Sequence, residues 1–198
     1  GSHVVLSLID NGHKVHIIDN LSTGNKKLIP KEVNFTECNV NDTKQINKIL
    51  KSNKFDLLMH FAGFIKVEES VNYPDKYFLN NTENAIKLFE ICKKSGLKNI
   101  VFSSTAAAYG NNQQKNVNET NQLNPKNPYA ESKIKTENFL IENQNDFNFI
   151  ILRYFNVAGA DPKLRSGQIS DNATHLIKII SELAVGKRKK NRGLWKWL

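Results

Sequence analysis

Short apolar runs rich in β-branched residues recur along the chain, separated by longer stretches that open and close with helix signals. Val15-His16-Ile17-Ile18-Asp19, Val33-Asn34-Phe35-Thr36-Glu37, Asp56-Leu57-Leu58-Met59-His60-Phe61, Asn99-Ile100-Val101-Phe102-Ser103-Ser104 and Phe149-Ile150-Ile151-Leu152-Arg153 predict strands. Val4-Val5-Leu6-Ser7-Leu8-Ile9 predicts a first helix, stopped by Asp10-Asn11-Gly12. Asn41-Asp42-Thr43 offers caps for a second helix running to about Lys51, and a long third one spans 74–94, closed by Ser95-Gly96. A polar loop fills 110–127, and Pro128 then opens a helix over 128–145. A last helix covers 173–185, after a loop with Gly159, Pro162 and Gly167. Strands alternating with helices at this spacing predict an α/β fold: a doubly wound parallel sheet covered on both faces.

Ligands in such sheets bind outside the carboxyl ends of the strands. The unusual residues gather at those ends: Asp19, Asn39, Gly63, Thr105 and Arg153-Tyr154-Phe155-Asn156. An acid at Asp19 suits paired hydrogen bonds to an adenosine ribose and repels a 2′-phosphate, which favours NAD over NADP; the alternative is an aspartate that caps a turn. Tyr129 and Lys133 are four apart on the helix that starts at Pro128, so phenol and ammonium project from one face. A neighbouring cation favours the phenolate, which makes Tyr129 a candidate base for an alcohol hydroxyl. By itself Tyr-x-x-x-Lys is a common coincidence in a lysine-rich chain, and its position after a strand end gives it weight.

Composition narrows the partners. The 198 residues are 39% hydrophobic and 24% charged, with a net charge of +9. The lysines are spread and interleaved with acids, so they read as solvated helix faces, and no nucleic acid is expected. A diffuse positive field does favour a phosphorylated small substrate. No apolar run is long enough to cross a bilayer, and no signal segment opens the chain, so no membrane partner is expected. The two cysteines, Cys38 and Cys92, are too few for a disulfide framework or a cysteine metal site; they fit a reducing cytoplasm, and no metal is expected.

Taken in order, several segments resemble the UDP-glucose 4-epimerases of the extended short-chain dehydrogenase/reductases, the NAD-dependent epimerase/dehydratase family. They are Gly1-Ser2-His3-Val4-Val5, Asp19-Asn20-Leu21-Ser22, His60-Phe61-Ala62-Gly63, Glu69-Ser70-Val71, Asn80-Asn81-Thr82, Phe102 through Gly110, Pro128 through Lys133 and Leu152 through Ala160. The resemblance covers residues 1 to about 190, and its specificity lies in the ordered set. It implies a Rossmann-like fold and reversible exchange of UDP-glucose and UDP-galactose by transient oxidation at sugar C4, with NAD as cofactor. Tyr129, Thr105 and Lys133 would be catalytic, with Thr105, Tyr129, Tyr154 and Asn156 toward the sugar nucleotide. For Thr105 the alternative is a strand-end hydroxyl bonded to backbone. Toward the cofactor it places Asp19 and Asn20 at the ribose, Ser22 beside it, Asn39 and Val40 at the adenine, and Phe61, Ala62 and Gly63 beneath. Asn80 would lie near its middle, Phe155 near the nicotinamide with Tyr129 and Lys133, and Gly1 would be the last glycine of the phosphate loop.

Departures from the family pattern qualify this. Asn39 stands where the family has Asp, and Ile65 where it has a loop Lys, with Lys66 one place later. Alternatives are another nucleotide-sugar epimerase, a 4,6-dehydratase relative, or an inactive fragment. The dehydratases carry Asp-Glu directly after the catalytic Thr, whereas Ala106-Ala107 follow Thr105 here. The family's first strand and its glycine loop should precede Gly1, so the sequence predicts a sheet lacking that strand, with two facing edges, and poor retention of NAD. Residues 1–165 would form the nucleotide-binding domain and 166–198 the start of a substrate-binding region, with an atypical basic, Trp-containing tail. A homodimer is expected for the full-length parent.

Overall fold

The computed structural model describes residues 1–111, 116–169 and 176–188. The apolar runs form five strands: β1 (His16–Asp19), β2 (Asn34–Glu37), β3 (Leu58–His60), β4 (Asn99–Thr105) and β5 (Asn148–Tyr154). All pairings are parallel. They form two sheets, β1-β2 and β3-β4-β5, with β1 and β3 not hydrogen-bonded to each other among the described residues. The break falls where the doubly wound order puts the strand that leads into the first helix.

The first helices are α1 (Ser2–Asp10) and α2 (Thr43–Ser52). The Asp42 side chain caps α2 by accepting from the Gln45 amide at 3.0 Å. The expected helix over 74–94 is interrupted: α4 (Pro74–Tyr77) runs into a π-helical segment, Phe78–Glu83, before α5 (Asn84–Lys94). A short helix ahead of it, α3 (Val67–Asn72), and a 3₁₀ turn after β4, Ala106–Tyr109, have no signal in the apolar pattern. The two remaining helices are α6 (Pro128–Glu142), ending three residues short of its predicted limit, and α7 (Leu176–Ala184). Positions 173–175 of the predicted last helix, and the basic tail after 188, lie outside the described residues.

Two apolar clusters hold these elements. Ala85 and Phe89 of α5, Ile100 and Phe102 of β4, and Leu140 of α6 make one, closed by Phe147. The other has Ile46 of α2 packed on Leu88, Ile91 and Cys92 of α5, with Ile18 of β1 and Leu58 of β3 against it. The second cluster therefore joins the two sheets through side chains where the backbone ladder does not. No helix among the described residues is long and apolar enough to cross a membrane.

Candidate active site

The start of α6 fixes where Tyr129 and Lys133 stand. The Asn127 side chain accepts from the Ala130 amide at 2.9 Å, and Pro128 supplies the preset backbone of the first turn. Lys133 then falls one turn in, 3% exposed, with Nζ donating to the Ser103 carbonyl at 2.9 Å and lying 5.0 Å from the centroid of the Phe102 ring. Burial pulls this ammonium down to about 8, against the pull of the Glu137 carboxylate. Tyr129 is half-buried and meets Tyr77 edge to face, centroids 6.4 Å apart.

Thr105 closes β4, 6% exposed, and its Oγ1 accepts from the Ala107 amide at 3.1 Å. The strand-end reading thus holds for one lone pair, and the hydroxyl proton remains available to donate. Tyr154 ends β5 in register with Thr105, so these two positions are neighbours across the sheet. Burial pushes the Tyr154 phenol up. Phe155 and Asn156 follow Tyr154 on an exposed stretch, with Phe155 73% exposed.

Asn81 is the main site residue that sequence reasoning passed over in favour of Asn80. Fully buried, it treats Phe64 as a strand partner would: Oδ1 accepts from the Phe64 amide at 2.8 Å and Nδ2 donates to the Phe64 carbonyl at 3.0 Å. Nδ2 also reaches Ser132 Oγ at 3.2 Å, and Ser132 Oγ donates to the Tyr129 carbonyl at 2.7 Å. Thr82 donates to the Ser132 carbonyl and Thr136 to the Asn81 carbonyl. The π-helical segment is thereby stitched to the turn of α6 that carries Tyr129 and Lys133, in keeping with the frequency of π-bulges at functional sites. The signal in the sequence was the pair Asn81-Thr82 inside an otherwise amphipathic helix.

At the strand ends lies a cavity of about 120 Å³. Its wall comprises Asp19, Asn20 and Ser22 after β1, Asn39 and Val40 after β2, Phe61, Ala62 and Gly63 after β3, and Asn80 from the π-helical segment. These are the positions the resemblance assigned to the nucleotide, apart from Gly1, Phe155 and the Tyr129–Lys133 pair; Thr23, Gly24, Cys38, Phe64 and Asn84 join them unforeseen. Asp19 Oδ1 accepts from the Leu21 amide at 2.7 Å, so this residue does cap a turn. A carboxylate offers about four lone-pair sites, which leaves room for two ribose hydroxyls. The loop runs so close that a Cβ on Gly24 would sit 2.8 Å from Asp19 Oδ1, so a side chain there would have to push the carboxylate aside. Asn20 Nδ2 donates to Asn39 Oδ1 at 2.7 Å, clamping β1 to β2 across the position where the family has Asp.

Gly63 meets the other half of the site. A Cβ there would stand 3.2 Å from both Lys133 Nζ and Asn81 Oδ1, so its bare backbone is what lets the ammonium pack beneath the loop. Ile65 is 62% exposed, while the backbone of Lys66 is held from both sides by the Tyr77 hydroxyl. His60, at the end of β3, is 3% exposed, and neither ring nitrogen has a partner among the described residues. Burial and the nearby Lys133 push its imidazole down to about 3, so the ring is neutral. A carboxylate with open lone pairs, a backbone-lined floor and a buried cation thus stand at the carboxyl ends of the strands, an arrangement that fits a dinucleotide.

Comparison with known proteins agrees with this geometry. The description "NAD dependent epimerase/dehydratase family" matches residues 1–196. A UDP-glucose 4-epimerase from Azospirillum brasilense is 41% identical over 190 residues, covering 95% of this chain and 55% of that protein. UDP-arabinose 4-epimerase 1 of Arabidopsis thaliana is 36% identical over 179 residues, 85% of this chain and 43% of that one. The crystal structure of UDP-glucose 4-epimerase from Brucella ovis in complex with NAD superposes with a TM-score of 0.90 at 32% identity, covering 95% of this chain and 58% of that one. The chain spans about half the length of the curated relatives it matches. It belongs to the NAD dependent epimerase/dehydratase family.

Proposed function

We propose that the chain carries the nucleotide-binding and catalytic half of a UDP-glucose 4-epimerase, which interconverts UDP-glucose and UDP-galactose. The observation that supports it most is the buried Lys133 ammonium, one helical turn from Tyr129 and bonded to the carbonyl two residues before Thr105. Asp19 and Asn20 hold the adenosine ribose, Asn39 and Val40 border the adenine, and Phe61, Ala62 and Gly63 form the floor. NAD held there would supply reversible hydride exchange at sugar C4. Tyr129 accepts the proton of the 4-hydroxyl, with the Lys133 cation favouring its phenolate, and gives the proton back when the hydroxyl reforms. Thr105 donates its free hydroxyl proton toward the same oxygen and orients it. Tyr154 and Asn156 belong to the side from which the UDP-sugar approaches.

A 4,6-dehydratase needs a further acid and base next to the sugar. Ala106 and Ala107 start the 3₁₀ turn after Thr105 and supply neither. The preference among UDP-hexose, UDP-N-acetylhexosamine and UDP-pentose is assigned to UDP-galactose on the identity to the Azospirillum enzyme. The full-length protein is read as a homodimer acting in cytoplasmic galactose metabolism. The test is turnover of UDP-galactose by the full-length protein, beside its Tyr129→Phe variant. The substitution is expected to lower kcat by roughly 100- to 10,000-fold while NAD is still bound. A Tyr129→Phe protein with undiminished kcat would remove the proposed base and with it the reading.

A further inference from the structure

Glu137 stands one turn beyond Lys133 on α6, with its side chain fully removed from solvent. Arg153 Nε donates to both its oxygens at 3.1 Å, and Nη2 donates to Oε2 at 2.6 Å. The Ser104 hydroxyl donates to Oε1. Arg153 Nη1 donates onward to the Tyr109 hydroxyl at 3.0 Å, and the guanidinium lies 5.2 Å from that ring's centroid. One carboxylate thus ties α6 to the ends of both β4 and β5. Ser104 is the residue between Ser103, whose carbonyl receives Lys133, and Thr105.

Stability alone is a poor reason for such a pair. Withdrawing two charges from water costs several kcal/mol, and an apolar pair of similar volume often serves as well. The neighbour that gains is Lys133. Tyr129 and Glu137 lie one turn before and one turn after it on α6; around the ammonium itself are the Ser103 carbonyl and Phe102 ring from β4, the Asn81 amide beneath Gly63 and neutral His60 from β3, with Arg153 of β5 reaching only as far as Glu137. Among the described residues, Glu137 is the one anion whose field offsets the burial of the ammonium.

We propose that Glu137 is a positioning residue for Lys133: pinned by Ser104 and Arg153 one turn along α6, it fixes that helix against the end of β4, where the Ser103 carbonyl receives the ammonium, and it sets the negative charge nearest the lysine on its own helix. Arg153 sets how much of the carboxylate's negative charge the lysine feels. The role in turnover rests on the epimerase reading above; the charge coupling does not.

The coupling predicts opposite shifts that a merely structural tie would not produce. Glu137→Gln removes the anion and leaves a guanidinium nearby, so Lys133 releases its proton at lower pH. Arg153→Met frees the carboxylate, so Lys133 keeps its proton to higher pH. Ser104→Ala strips one donor from the same carboxylate and shifts the lysine in the same direction as Arg153→Met, by less. The measurement is an NMR titration of the full chain labelled at lysine 13Cε, with the Lys133 signal assigned by its loss in Lys133→Met.

The unsubstituted signal is expected to titrate near 8, that of Glu137→Gln about one unit lower and that of Arg153→Met about one unit higher. If Glu137→Gln does not fold, Arg153→Met and Ser104→Ala decide: an unmoved or lowered titration in both overturns the proposal. Superimposed curves in a full chain that turns over UDP-galactose overturn the role of Glu137 alone. A full-length protein without turnover, but with the opposite shifts, overturns the epimerase reading and leaves the coupling standing.

Discussion

Lys133 shows what a single site residue costs the chain. Its ammonium is lowered from 10.5 to about 8 in the folded state, so between those values the unfolded chain holds more proton than the folded one. Stability therefore rises as pH climbs through that interval, and below about 8 the whole cost is carried, roughly 3 kcal/mol at 1.4 per unit. Lys133→Met removes the cost but leaves the Ser103 carbonyl without its donor, which takes back about 1 kcal/mol. The variant is expected to be about 2 kcal/mol more stable at neutral pH, with the gain fading above pH 8. Urea midpoints at neutral and alkaline pH measure this, and a variant less stable at neutral pH would show that burial is not the larger effect. A site that weakens its own fold is the usual trade between stability and activity.

The π-helical segment carries the corresponding argument for an element. Its widened turn brings Asn81 to Phe64 and Ser132 together, three polar bonds inside a buried seam. Asn81→Leu keeps the volume and strips all three, leaving the Phe64 amide and carbonyl unpaired. It should cost about 2 to 4 kcal/mol, seen as a lower urea midpoint at unchanged slope. An Asn81→Leu midpoint equal to that of the parent would mean that the seam is wet and the stitching weak. The strands and helices around this segment were legible because each is set by a local run: Ile100-Val101-Phe102 for β4, Asn127-Pro128 for the start of α6. The π turn was not, since it depends on a partner, Phe64, met only after folding. Asp19 lay between these cases. Its position at a strand end was legible, yet its bond to the Leu21 amide depends on a turn in which Leu21 takes a φ of 55°.

At the scale of the molecule, the sequence order foretold the separation of two sheets but not what fastens the far ends together. Arg165, after β5, spans Asp10 at the end of α1 and Asp161 in its own loop: Nη1 and Nη2 donate to the two Asp10 oxygens at 2.8 Å each, and Nε donates to Asp161 Oδ2 at 2.9 Å. Lys163 adds a contact to Asp10 at 3.3 Å, and Ser2 meets Ser166 at 2.8 Å. Residues more than 150 positions apart thus clasp α1 to the segment that follows the last strand. The Arg165 guanidinium holds the Asp10 carboxyl at about 2, below its ordinary 3.8, and holds Asp161 well below the usual carboxylate range.

Both carboxyls are depressed on folding, so the clasp stabilises fully above about pH 4; its Asp10 side is lost as pH falls through about 2, and its Asp161 side only at lower pH. Arg165→Gln is expected to melt earlier than the parent at neutral pH. The gap between the two should close as the solution is acidified toward pH 2, where the parent's carboxyls take up protons. Added salt should narrow the gap at neutral pH too, because the Asp10 side of the clasp is open to solvent. Thermal melts of both proteins across that acid range test it. A gap that stays constant down to pH 2 would assign the effect of the substitution to lost packing of the arginine stem rather than to its charge.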